Sequence, residues 1–146
     1  MPLITRLFLK AGLVYLFCSL ITGIILELEF ISIPIFHVLF WHMLMLGWIT
    51  QIIMGVSLWM FPGRSRVESF SNQKWSWIAF VLLNLGILLR IIAEPFIQLS
   101  THMIWKILLT ISAVFQLIGI GAYLIEIWPR VKGKKQRSKK RKKESI

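Results

Sequence analysis

Four stretches of this chain are apolar for long enough to cross a bilayer, which takes about 20 mostly apolar residues. The first runs over about 6–28, and Ala11–Leu26 within it carries no charge. The second lies inside Phe30–Gly63, which contains no Asp, Glu, Lys or Arg, and centres on about 36–60. The third covers about 75–94 and the fourth about 102–128. Pro34, Pro62, Pro95 and Pro129 fall between or after these segments, where a missing N–H is tolerated. The pattern predicts an all-α membrane protein of four transmembrane helices, an up-down-up-down bundle with short connections. Arg6 and Lys10 ahead of an apolar run resemble the start of a signal peptide. That run passes straight into Glu27-Leu28-Glu29-Phe30 without a small-residue cleavage pattern, so an uncleaved first helix is expected.

Composition agrees. Apolar residues make up 57% and charged ones 16%, against about 25% charged in a soluble domain. A water-soluble globule and a disordered chain are both excluded on these numbers. Cys18 is the single cysteine, so no intrachain disulfide or cysteine metal cluster can form.

Charge then orients the bundle. Ten of the 17 Lys and Arg residues lie in 130–143, and without 130–146 the formal charge falls from +11 to +2. Basic residues also mark the N-terminus (Arg6, Lys10) and the connection between the second and third segments (Arg64, Arg66, Lys74). The other two connections carry only Glu27 and Glu29, and Glu94. The positive-inside rule therefore puts both termini and the middle loop in the cytoplasm, in a plasma (cytoplasmic) membrane. Trp59, Trp75, Trp77 and Trp128 form an inner belt and Trp41 and Trp105 an outer one, while Trp48 falls near mid-membrane. The chain divides into a membrane domain, 1–129, and a disordered polybasic tail, 130–146. The tail is expected to lie on anionic lipid, at about 1 kcal/mol per basic residue near the surface. No aromatic or structured element accompanies it, so nucleic acid is not an expected partner.

Polar residues inside the apolar segments need a partner or a role. At ~1.5 Å per residue, Ser19, Gln51, Asn84 and Gln116 fall near mid-bilayer. Gln51, Asn84 and Gln116 are expected as structural polar residues that hydrogen-bond between helices, worth roughly 0.6 kcal/mol apiece. A polar pathway through the bundle is the alternative. Gly47, Gln51 and Gly55 recur every four residues, a small and polar stripe suited to close packing.

The outer half gathers the chemistry. His37 lies near the surface and His42 about 7–8 Å deeper. Arg90 and Glu94 are one turn apart, and His102 opens the fourth segment. Histidine ligates haem iron, copper and zinc, and arginine partners a carboxylate such as a haem propionate. The candidate cofactor residues are His42, His102 and Arg90. The candidate metal ligands are His42, His37, His102 and Glu94. The same residues also admit plain roles: an intrahelical Arg90–Glu94 ion pair, interfacial His37 and His102, and a satisfied core His42. His37 and His42 are ~140° apart around a helix, so they cannot share one metal. There is no HExxH or CxxC motif, and Cys18 lies mid-helix in apolar surroundings where a thiol is inert. No catalytic residue is assigned.

The run HMLMLGWITQIIMGVSLWMFP, His42 to Pro62, resembles the second helix of the haem-copper oxidase catalytic subunit, subunit I. That helix has a histidine near its outer end, a Met/Phe/Gly-rich stretch and a closing proline before a polar loop. Asn84-Leu-Gly86-Ile-Leu-Leu-Arg90 adds to the likeness. The resemblance covers 36–62, extends weakly over 63–95, and leaves out the fourth segment and the tail. It implies that His42 is an axial ligand of a haem. The family's copper histidines and its histidine–tyrosine pattern have no counterparts here, so the chain is not expected to be a complete oxidase or an enzyme by itself. The family's helices form three pseudo-equivalent groups of four, which implies a homotrimer by analogy. A larger respiratory complex is the other assembly expected. Two further readings stand beside a haem protein for electron transfer or gas or haem handling: a non-enzymatic accessory or scaffolding subunit without cofactor, and a small transporter.

Overall fold

The computed structural model describes residues 1–28, 35–61, 74–99 and 102–131, and the described residues are helical almost throughout. Helix α1 spans Leu3–Glu27. The second apolar segment is not one regular helix. It begins as α2, Ile35–His42, continues as a π-helical segment, Met43–Ile49, and ends as α3, Thr50–Met60. Helix α4 spans Lys74–Leu99 and α5 spans Met103–Val131. Four stretches, Leu3–Glu27, Phe36–Met60, Lys74–Ile97 and Met103–Val131, are long and apolar enough to cross a membrane. The described residues thus form an all-helical fold with four candidate spans. The connections holding Glu29, Pro34, Pro62, Arg64 and Arg66, and the tail from 132 onward, lie outside the described residues.

Two prolines behave differently from the expectation that they end helices. Pro95 lies inside α4 and Pro129 inside α5. Each sits within the last turn or so of its helix, so its missing N–H removes only one late hydrogen bond, from the carbonyl four residues earlier. In an apolar setting a helix that stopped at once would leave more carbonyls unpaired. Helix α5 consequently carries Arg130 in its last turn.

Small residues fix how the helices pair. A Cβ at Gly47 would lie 2.6 Å from Tyr15 Cγ, and one at Gly55 would lie 3.0 Å from Phe8 Cβ. Gly12 meets Ile52 and Gly23 meets Phe40. As the position rises along α1 it falls along the second span, so the two are antiparallel. On α4 and α5, Gly86 abuts Gln116 and the Ser112 carbonyl, and Gly119 abuts Leu83 N and the Ala79 carbonyl. That pair is antiparallel too, and it is packed along most of its length. The two hairpins meet along a sparser seam, mostly between the second span and α4, with Phe8 and Phe80 in edge-on contact at 5.1 Å nearer the starts of α1 and α4. Ile4, Phe8, Leu58, Leu83 and Ile87 are buried in the core. Outward positions such as Phe17, Leu117 and Trp128 are exposed and apolar, the surface a lipid-facing helix needs.

The π segment changes which residues face inward. His42 and Gln51 are nine residues apart, which in a regular α-helix turns them about 180° from each other. An i→i+5 segment fits more residues into each turn. It closes with both the Thr50 N–H and the Thr50 hydroxyl donating to the Met45 carbonyl, the latter at 2.8 Å. The under-rotation brings His42 and Gln51 to the same side, toward α4.

Candidate functional site

His42 is the last residue before the π segment, and it meets Arg90 and Glu94 of α4. The Arg90 Nη1 lies 2.9 Å from His42 Nε2 and donates to Glu94 Oε1 at 3.0 Å. His42 Nδ1 lies 2.8 Å from the Val38 carbonyl oxygen and 3.2 Å from Glu94 Oε1. These contacts fix the tautomer. A guanidinium can only donate, so Nε2 must present its lone pair to Arg90. The ring proton is then on Nδ1, which donates to Val38 and faces the Glu94 carboxylate. With His42 neutral, Arg90 and Glu94 cancel, and the cluster has no net charge. This is the least costly way to keep such groups in an apolar bundle.

The cluster is well enclosed. The Glu94 side chain is 5% exposed, Arg90 18% and His42 26%. Glu94 Oε2 and Arg90 Nε are buried with no hydrogen-bond partner.

Of the sequence-derived site residues, the fold therefore unites His42, Arg90 and Glu94. His37 is exposed on α2. His102 is exposed just before α5 and its carbonyl accepts the Trp105 N–H at 3.3 Å. Among the described residues no three His, Cys, Asp or Glu side chains gather as a metal-binding group. A haem iron or metal ion needs a nitrogen lone pair, and in this arrangement neither ring nitrogen of His42 offers one: Nδ1 carries the proton and Nε2 accepts from Arg90. The residues do not fit such a group as they stand.

A second polar layer lies deeper. Gln51 is fully buried and its Nε2 donates to Asn84 Oδ1 at 3.0 Å, while Asn84 Nδ2 donates to the Phe80 carbonyl at 2.7 Å. Gln116 Nε2 donates to Ser112 Oγ at 3.3 Å, and Ser112 donates to the Gly86 carbonyl of α4 at 2.6 Å. Gln51–Asn84 is thus a bond between helices. Gln116 packs directly on Gly86 of α4, and its hydrogen bond leads to that helix by way of Ser112. Ser19 bonds back to the Leu16 carbonyl of its own helix.

Three features escaped the sequence reading. Ser112 bridges to α4, Tyr123 donates to Ser57 at 2.6 Å, and Arg130 is ion-paired with Glu126, both of them buried. The last could have been found from its i, i+4 spacing. The others had no signal, because a serine or tyrosine in an apolar run does not reveal which neighbour it meets.

No family model, curated protein or solved structure matches this chain.

Proposed function

We propose that this chain is a non-catalytic subunit of a larger membrane assembly, a four-helix module whose intramembrane charges serve to lock its two hairpins in register. The observation that carries the reading is the His42–Arg90–Glu94 cluster. It spends a histidine, an arginine and a carboxylate on one another across two helices. Both ring nitrogens of His42 are taken up within it, so the histidine keeps no lone pair for a ligand. Up-down-up-down topology with both termini cytoplasmic follows from the basic ends and belongs to this reading, as does contact of the Lys/Arg-rich tail with anionic lipid. The assembly is a homo-oligomer, a trimer by analogy, or a complex with larger subunits.

The test is the size of the complex that holds this chain after gentle detergent extraction from native membranes. The expected result is a species of several chains. A particle containing one chain would overturn the proposal.

A second reading has one observation in its favour. Anchoring of Nδ1 by the Val38 carbonyl is the arrangement that orients a histidine to ligate through Nε2. If Arg90 were drawn away by a propionate, His42 would hold a haem. Oxidised and dithionite-reduced optical spectra of the extracted protein, beside those of His42→Ala, separate the readings. A Soret band lost in the variant supports haem, and its absence from folded protein removes it.

A further inference from the structure

We infer that the end of the bundle carrying the N-termini of α1 and α4 holds a binding site for a phosphate group, entered from that end between the two helices. The inference goes beyond the subunit reading and does not depend on it.

Thr5 and Ser76 are both 0% exposed, and neither hydroxyl has a hydrogen-bond partner. Other helical Ser and Thr residues here satisfy themselves on a preceding carbonyl: Ser19 on Leu16, Thr22 on Cys18, Ser57 on Met54, Thr110 on Lys106. Thr5 and Ser76 lack that outlet because each lies in the first turn of its helix. A buried hydroxyl without a partner is a standing penalty, relieved by any ligand that accepts from it.

The two hydroxyls lie at one level. Thr5 is three residues before Phe8 and Ser76 four before Phe80, and Phe8 and Phe80 are in contact across the seam. Thr5 and Ser76 therefore sit one turn nearer the termini on helices that run in the same direction. Both helices start at this end, and each presents the positive end of its macrodipole there. Pro2, the residue capping α1, makes no side-chain capping hydrogen bond. A third unpartnered donor is at the same end: Arg130 is 6% exposed, and its Nε has no partner although its Nη2 is held by Glu126. Arg6, Lys10 and Lys74 stand exposed around it.

All these vacant groups can donate, so the complementary ligand accepts at several points and is negative. A phosphate group fits. It could come from a lipid headgroup or from a free phosphate. Thr5 and Ser76 lie two residues from the start of their spans, ~3 Å along the axis, at the end where a spanning helix leaves the hydrocarbon for the headgroups. Beyond this level the seam is closed by buried side chains such as Phe8 and Leu83, so the ligand enters from the end of the bundle.

The test uses the full-length chain in a neutral detergent and follows its thermal unfolding. Phosphatidylglycerol, phosphatidylcholine and inorganic phosphate are titrated separately into the wild type, Thr5→Val and Ser76→Ala. Neither substitution should lower the unliganded unfolding temperature, since each removes an unpartnered hydroxyl. Phosphatidylglycerol is expected to raise the unfolding temperature of the wild type, with binding weakened about five- to tenfold in each variant. Stabilisation by phosphatidylglycerol alone assigns the site to a lipid headgroup, and stabilisation by inorganic phosphate as well assigns it to any phosphate. No stabilisation by either, or equal stabilisation of wild type and variants, would overturn the inference.

Discussion

Arg90 holds two partners at once, and its removal separates the cost of a buried charge from the cost of lost packing. In Arg90→Met, Glu94 stays buried without its cation, and His42 Nε2 loses its donor. Breaking one side of such a pair costs about 3–5 kcal/mol, and the partial exposure of Arg90 puts the expectation at the lower end. Adding Glu94→Gln to Arg90→Met should return much of that loss, because no uncompensated charge remains. Equal stability of Arg90→Met and wild type in detergent unfolding would show that the cluster holds nothing together. Glycines allow a similar contrast. Gly47→Ala must displace the Tyr15 ring, met at 2.6 Å, and overpacking of this kind costs about 1–3 kcal/mol. Gly121→Ala meets nothing within 4 Å and should be neutral or stabilising by about 0.5–1 kcal/mol through helix propensity. Unfolding temperatures of the two variants, measured side by side, check both.

At the scale of elements, hydropathy was enough to find all four spans, because lipid exposure demands a long apolar run whatever the packing. Boundaries were less legible. Prolines read as stops for the third and fourth segments are passed by α4 and α5, since the carbonyls just before them gain more from a continued helix than one lost bond removes. The π segment was not legible at all. Nothing in MLMLGWI departs from an ordinary apolar helix, and the extra residue per turn is set by what must face α1 and α4. Gly47 and Gly55 have to meet α1 while His42 and Gln51 meet α4. A regular helix cannot meet both demands, because it turns His42 and Gln51 to opposite sides. For the same reason the sequence brought His37 and His102 forward as ligands but could not show that His42 would meet Arg90. Deletion of Met45, an exposed residue within the segment, should restore α-helical winding and rotate His42 by about 100° away from α4. In that background His42→Ala should add little further destabilisation relative to its effect on the wild type, since the contacts of His42 with Arg90 and Glu94 are already lost. Full additivity of the two changes would show that the π segment does not position His42.

For the molecule as a whole, one end gathers the N-terminus of α1, the C-terminus of α3, the N-terminus of α4 and the C-terminus of α5. That end holds Arg6, Lys10, Lys74 and Arg130 among the described residues, and the tail adds nine more cations over 132–143. Lys106, at the start of α5, is the sole described lysine or arginine near the opposite end that is not ion-paired to a neighbour. On the proposed reading this charge difference sets which end stays inside, irrespective of what the site does. Glu126 neutralises Arg130, so of the basic residues from 130 onward it is those over 132–143 that bring net charge. In a Cys18→Ser background, Leu28→Cys and Phe61→Cys place a thiol at opposite ends of the bundle, both at exposed positions. A membrane-impermeant maleimide added to intact cells should label the thiol at position 28 directly and the one at position 61 only after the membrane is opened. The reverse pattern would invert the bundle and turn the His42–Arg90–Glu94 cluster toward the inner leaflet. Labelling of both thiols in intact cells would mean that the chain does not adopt a single orientation, and the basic tail would then have to act on something other than topology.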